Sequence, residues 1–255
     1  MPTIFDVKDK VIAITGGSGG IGFATAQLLV SQGAKVSIAD VSETALEEAD
    51  SKLKQAQYPG EFMTTAVDVR KPQEVNEWIR STVDKFGRLD GAANMAAVIP
   101  KNINIDRVED MPDEDWQFVI DVNLSGVMHC MRAELRQMNE KGSIINASSV
   151  AGIAGFAKNS AYVATKHAVI GLSRSAAKEV GDRGIRVNCI CPGVIDTPMS
   201  RKSNETRGGA DLECKWQIKR KGQPEEVAQL IAWLLCDGSS FITGTVQVID
   251  GGYIC

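Results

Sequence analysis

The chain has 255 residues, 44% of them apolar and 24% charged, an ordinary globular composition that excludes intrinsic disorder, collagen and coiled coil and suits one large domain. Its 28 basic and 32 acidic residues leave a net charge of −4, so no overall positive field exists to hold nucleic acid or an anionic membrane. No apolar run approaches the roughly 20 residues of a spanning helix; Ile190 to Ile195 is broken by Pro192 and Gly193.

Short β-branched runs alternate with longer segments of helical period, the pattern of a parallel sheet with crossover helices. The predicted strands are Val11 to Thr15, Lys35 to Asp40, Phe62 to Ala66, Gly91 to Asn94, Ser143 to Asn146, Arg186 to Cys191 and Thr245 to Ile249. After the first, Ile21, Ala24, Leu28 and Leu29 mark the apolar face of a helix. Between the third and fourth, Val75, Trp78, Ile79, Thr82, Val83 and Phe86 form a helical stripe, with Pro72 in its first turn and Gly87 at its end. Trp116, Val119, Ile120, Leu124, Val127, Met128, Met131 and Leu135 predict the next helix, and Val227, Leu230, Ile231, Leu234 and Leu235 the last, opened by Pro224. Seven strands joined by right-handed crossovers make a doubly wound α/β sheet spanning 1–255, with its ligand site beyond the carboxyl ends of the strands. The long stretch from Ser200 to Lys221 carries seven basic and three acidic residues. It reads either as a substrate lid, over 198–222, or as a solvated surface segment.

Thr15-Gly16-Gly17-Ser18-Gly19-Gly20-Ile21-Gly22 joins a predicted strand to a predicted helix. Glycines there allow a tight turn, close approach of a pyrophosphate and packing of helix on strand, while the helix N-terminus offers amide donors. Asp40, at the end of the second strand and twenty residues after Gly20, can accept both adenosine ribose hydroxyls and repel a 2′-phosphate. Val41 follows it, and no Lys or Arg occurs among Gly16 to Gly22, which favours NAD over NADP. Asp68 and Val69 suit the edge and face of an adenine. Tyr162 and Lys166 are four apart, on one helical face. An ammonium about 4 Å from a phenol at an effective dielectric near 20 is worth about 4 kcal/mol, roughly three pKa units, which would poise Tyr162 for proton transfer. Each motif alone leaves a plainer alternative: an empty glycine turn, a helix cap at Asp40, an ordinary amphipathic helix at Tyr162.

Thr15 to Gly22, Asn94, Asn123, Ser149, Tyr162, Lys166 and Pro192-Gly193 in this order resemble the short-chain dehydrogenase/reductase family, over almost the whole chain from Lys10 to Gly252. The resemblance implies a single Rossmann-type domain with Tyr162 as general acid/base. Lys166 would lower its pKa and hold the nicotinamide ribose, Ser149 would polarise the substrate oxygen, and Asn123 would hold a water of the proton relay. Ser149 is preferred to Ser148 because it stands thirteen residues before Tyr162. Cofactor contacts are implied at Gly16, Ser18, Gly20, Ile21, Gly22, Asp40, Val41, Asp68, Val69, Asn94 and Ala96, and at Pro192, Gly193, Ile195 and Thr197 around the nicotinamide. One departure stands out: Asn94-Met95-Ala96-Ala97 replaces the usual Asn-Asn-Ala-Gly, placing a side chain at Ala97 where backbone approaches the cofactor. The family also implies a homotetramer or homodimer, through Trp116 to Met138, Ala161 to Val180 and the apolar tail from Val246 to Cys255.

The reaction expected is hydride transfer between NAD and a secondary alcohol or ketone. Val98, Ile99, Ile153, Phe156 and Met199 suggest an apolar pocket for an alicyclic or polyketide-like compound of secondary metabolism, and the segment from Ala92 to Ala97 resembles fungal members of the family. A sensor, cyclase or lyase using the same pocket is the alternative. Met1 to Lys10 contains Asp6 and Asp9 and no signal-peptide core, so the mature chain is expected to start there and to act in the cytoplasm. Six cysteines without a C-x-x-C pair read as free thiols, with no metal site, and His129 and His167 as structural.

Overall fold

Val11, Ile12, Ala13, Ile14 and Thr15 are buried without exception, as a strand covered on both faces requires. In the computed structural model, which describes residues 6–206 and 216–254, this strand is β1 (Val11–Thr15). It lies among β2 (Lys35–Asp40), β3 (Glu61–Ala66), β4 (Gly91–Asn94), β5 (Ser143–Ala147), β6 (Arg186–Pro192) and β7 (Val246–Ile249). All seven pair in parallel in the order β3-β2-β1-β4-β5-β6-β7, so the chain folds as the doubly wound Rossmann-type α/β sheet expected. Each strand lies within one residue of its predicted bounds.

Alternation along the strands sends Ile12 and Ile14 to one face and Val11 and Ala13 to the other. The first face is covered by α1 (Gly20–Ser31), α2 (Glu43–Ala56) and α8 (Pro224–Leu235), which supply Leu29, Leu53 and Ile231. On the second face α3 (Pro72–Phe86), α5 (Val127–Gln137) and α6 (Ser160–Glu179) bring Trp78, Met131 and Val169. Gly87 ends α3 in a left-handed conformation, as predicted.

Three details differ from the sequence expectation. In α1 the buried residues include Gly22, Ala26, Leu29 and Val30, whereas Ile21 and Leu28 are half-buried: both sheet and α8 press on this helix, and its apolar surface is too broad for periodicity to single out one stripe. The helix expected from Trp116 to Leu135 is two, α4 (Asp113–Ile120) and α5, joined by a π-helical turn, Asp121–Gly126. The wider turn shifts the register and buries Val122, Asn123 and Gly126 together, while Trp116 stays 37% exposed; such turns are frequent at functional sites. The stretch after Ser200 is not irregular throughout, since α7 (Pro198–Glu205) is capped by the Thr197 hydroxyl, which accepts from the Ser200 N–H at 3.2 Å. Beyond it, Trp216 is buried and donates to the Arg220 carbonyl at 2.5 Å. Residues 207–215 of the candidate lid lie outside the described residues, as do Cys214, Cys255 and 1–5. Cys130, Cys189, Cys191 and Cys236 are free and buried.

Between β4, β5 and α5 lies a buried polar chain. The Asn94 Nδ2 donates to Asn146 Oδ1 at 2.9 Å and to Glu134 Oε2 at 3.1 Å, and Asn146 Nδ2 donates to Ser173 Oγ at 2.8 Å. Glu134 is wholly inaccessible, and its Oε1 has no partner among the described residues. Burial pushes its carboxyl up to about 8 from an ordinary 4.5, against the lowering effect of the Asn94 bond. The folded chain therefore holds a proton that the unfolded chain releases above pH 4.5. This contribution is complete below pH 4.5 and is lost as pH rises through 8. Glu134→Gln keeps an acceptor for Asn94 and removes the titration. At pH 9 the variant should exceed wild type in stability by about 1–3 kcal/mol, with the gap closing toward pH 5; thermal unfolding of both proteins across that range measures it.

Candidate active site

The turn after β1 is possible only with glycine at two positions. A Cβ on Gly22 would stand 2.1 Å from the Gly16 carbonyl oxygen, and Gly16 itself has φ +63 with a would-be Cβ 2.8 Å from the Ala96 backbone. This close packing sets the glycine turn against the loop after β4, and both line one crevice at the point where the strand order reverses. Nothing lies within 4 Å of a Cβ built on Gly19, so that side of the turn is open. The amide groups at the helix start could hold a pyrophosphate there.

Asp40 ends β2 beside this turn. Its Oδ2 accepts from the Ser18 hydroxyl at 2.6 Å and the Ser18 N–H at 3.3 Å, and its Oδ1 accepts from the Ser42 N–H at 3.2 Å. The carboxylate thus braces both the glycine turn and the start of α2 while lining the crevice, and Val41 forms an exposed rim beside it. Asp68 is less open than the sequence implied: Arg70 Nε and Nη2 donate to its two oxygens at 2.5 to 3.0 Å, and these bonds hold its carboxyl below the usual range. The Arg70 guanidinium lies 5.4 Å from the centre of the Phe118 ring. Both residues line the crevice with Val69. They escaped the sequence reading because 47 residues separate Arg70 from Phe118 in the chain and only the fold brings α4 beside the segment that follows β3.

Farther in, Ser149, Tyr162 and Lys166 meet. Ser149 leaves β5, and its Oγ accepts from the Ala151 N–H at 3.1 Å. Ser148 also lines the crevice, but its hydroxyl is taken up by the Lys166 carbonyl, to which it donates at 2.8 Å. Lys166 is almost inaccessible; its Nζ donates to the Ala147 carbonyl at 2.7 Å and stands 5.4 Å from the Tyr162 ring centre. The sequence expectation of a depressed tyrosine is corrected here. Desolvation pushes Tyr162 up to about 12, with a hydrogen bond to Ser149 offsetting only part of it, and desolvation also brings Lys166 down to about 8. Burial disfavours each charged form more than the pair's distance repays.

Of the remaining expected site residues, Ile21, Ala96, Pro192, Gly193, Ile195 and Thr197 line the same crevice. Two do not. Asn94 points into the buried chain described above. Asn123 is wholly buried in the π-helical turn, where it accepts from the Val98 N–H at 2.8 Å and donates to the Val98 carbonyl at 2.8 Å. It therefore fastens the crevice wall rather than facing the open space. The crevice has a volume of about 550 Å³, room for elongated ligands of dinucleotide type. Val98, Ile99, Phe156 and Met199 line its inner end as expected, joined by Ile103, by Ser203 of the candidate lid and by Tyr253, which the sequence did not suggest, whereas Ile153 turns outward and is 39% exposed. His129 and His167 lie on backbone carbonyls, of Val69 and Val163. Among the described residues no group of three or more His, Cys, Asp or Glu could hold a metal, and no helix is long and apolar enough to cross a membrane.

A family model described as enoyl-(acyl carrier protein) reductase matches residues 16–254. The chain is 47% identical to the short-chain dehydrogenase/reductase aba4 of Botryotinia fuckeliana (strain B05.10), over 97% of both chains. It is 37% identical to the cyclohexanol dehydrogenase of Acinetobacter sp. (strain SE19), covering 96% of this chain and 95% of that one. The solved structure of levodione reductase superposes with a TM-score of 0.91 at 36% identity, covering 96% of this chain and 97% of the other. Glycine turn, acidic strand end and Ser-Tyr-Lys cluster stand on one crevice of a fold that relatives share end to end, and the chain belongs to the short-chain dehydrogenase/reductase family of oxidoreductases that use a nicotinamide cofactor.

Proposed function

We propose that the protein, acting as one catalytic domain in the cytoplasm, interconverts a secondary alcohol and a ketone on an alicyclic ring with NAD as its cofactor. The observation that carries this is the meeting of Ser149, Tyr162 and Lys166 at the inner end of a crevice whose outer end is the Gly16 to Gly22 turn and Asp40. Relatives named cyclohexanol dehydrogenase and levodione reductase support the substrate class. A bound nicotinamide supplies the hydride chemistry. Ser149 donates a hydrogen bond to the substrate oxygen, and Tyr162 gives that oxygen its proton in reduction or takes it in oxidation. Lys166, held by the Ala147 carbonyl, keeps a cation near the phenol. Asn123 holds Val98, and with it the substrate wall, in place.

Asp40 is the basis of the cofactor choice. A 2′-phosphate would meet a carboxylate already braced by Ser18, with nothing basic in the glycine turn to offset it. The kcat/KM with NAD should exceed that with NADP by at least tenfold, about 1.4 kcal/mol, and Asp40→Ala should narrow the gap. Equal values for the wild-type protein would refute the assignment.

Tyr162→Phe keeps the ring packed and removes the hydroxyl. NAD affinity, measured by fluorescence titration, should stay within about twofold, while kcat should fall by about 10² to 10⁴; retention of more than about a tenth of kcat contradicts the mechanism. With the phenol pushed up to about 12, the residue is a proton donor throughout the neutral range. In the wild-type protein, kcat/KM for oxidation should therefore rise with pH from 7 to 10, and kcat/KM for reduction should not.

Trp116, Phe241 and Val248 are large apolar residues left exposed on the outside of the fold, the kind of surface that assembly buries. They support assembly as a homotetramer. Light scattering should give about four times the 27.4 kDa chain mass, and a single-chain mass at micromolar concentration would contradict it.

A further inference from the structure

Asn159 lines the crevice three residues before Tyr162, at the turn that leads into α6. Its side chain does not cap the helix, and its Oδ1 is buried without a partner among the described residues. An unpaired buried amide oxygen costs free energy, and folded proteins retain few of them. The backbone that holds this amide is strained and pinned. Lys158, the residue before it, has φ 61, and Asn104, on the loop after β4, has φ 71; side-chain-bearing residues seldom adopt this region, and those that do cluster at ligand clamps. The Asn104 N–H donates to the Lys158 carbonyl at 2.9 Å, and its Nδ2 donates to Ser203 Oγ of α7 at 3.2 Å. Thr206 Oγ1 donates to the Ile103 carbonyl at 3.0 Å. Three segments of the substrate wall are thereby tied together beside one unpartnered amide oxygen.

We propose that the Asn159 amide binds a second oxygen of the substrate, so that the preferred substrates are rings bearing another hydroxyl or carbonyl besides the one that reacts. This rests on the oxidoreductase reading above, which assigns the reacting oxygen to Ser149 and Tyr162. A primary amide offers two N–H donors and a carbonyl acceptor, so it pairs with either kind of oxygen. Since Oδ1 has no partner where it stands, turning the amide to present it costs no existing bond to that atom. Phe156 and Tyr253, rings 6.0 Å apart and 17° from parallel, line the same crevice and offer apolar faces to the carbocycle. An alcohol with a single oxygen would leave the amide unpaired, and discrimination is strongest where the wrong ligand strands a polar group of the site.

The test is kcat/KM with NAD for cyclohexane-1,4-diol and for cyclohexanol, in wild type, Asn159→Ala and Asn159→Asp, together with calorimetric titration of both alcohols into the NAD-bound proteins. Wild type should prefer the diol. Asn159→Ala should reduce that preference about tenfold, one lost hydrogen bond at such a site, and Asn159→Asp, which keeps an acceptor for a hydroxyl, should restore most of it. An unchanged diol-to-cyclohexanol ratio in Asn159→Ala, or equal losses on both alcohols, overturns the inference and leaves the oxidoreductase reading standing. If wild type oxidises neither alcohol, the redox reading fails for this substrate class and calorimetry decides: tighter binding of the diol that Asn159→Ala abolishes supports the amide site, and any other binding pattern overturns it.

Discussion

Parallel pairing of the seven strands is the constraint from which the rest of the molecule follows. Strands that all run one way need a crossover between each pair, so helices must cover both faces and the strands become buried throughout, as β1 and β6 are. The same polarity delivers every strand's carboxyl end, with its loop, to one edge of the sheet. Gly16, Asp40, Asp68, Ala96, Ser149 and Pro192, far apart in the chain, all emerge at that edge and line one crevice. An antiparallel arrangement would send alternate members of this set to opposite ends.

Within the crevice, desolvation decides the protonation states. Tyr162 rises to about 12 and Lys166 falls to about 8, and Glu134, in the buried chain outside the crevice, rises to about 8 in the same way. In each case burial is the largest cause, and the favourable partner contributes less. An ammonium at 4 Å would be worth about 4 kcal/mol at a dielectric near 20, but Lys166 is turned toward the Ala147 carbonyl and lies beyond that distance from the tyrosine ring centre. The upward direction of the Tyr162 shift favours the phenol, the form that gives up a proton in the proposed reaction, over the phenolate.

Three backbone irregularities lie around the inner end. The π-helical turn Asp121–Gly126 carries Asn123 to Val98, and the left-handed Asn104 and Lys158 meet through a backbone hydrogen bond. Regular elements would not bring these side chains to those positions. The strain is tolerated because several segments over-determine the same wall, and such over-determination is how a site keeps groups within the narrow tolerances that catalysis and specificity demand.

Strands, most helices, the glycine turn, Asp40 and the pair Tyr162 and Lys166 were legible in the sequence because each rests on a local rule: alternation, helical period, glycine where backbone must pass close, a four-residue spacing along one helix face; Ser149 was legible only through the family resemblance. What local rules cannot carry is the environment of a side chain. The resemblance made Asn94 a cofactor contact and Asn123 the holder of a relay water; what the fold adds is that the first side chain joins a buried chain with Glu134 and the second is tied to Val98. The sequence predicted a lowered tyrosine pKa from spacing alone, and burial reverses the sign. Arg70 with Phe118, Tyr253 with Phe156, and the unpaired amide of Asn159 became visible only in the folded chain. Which groups lose water, and which partners replace it, depends on residues tens to hundreds of positions away, and these are brought together only by the sheet.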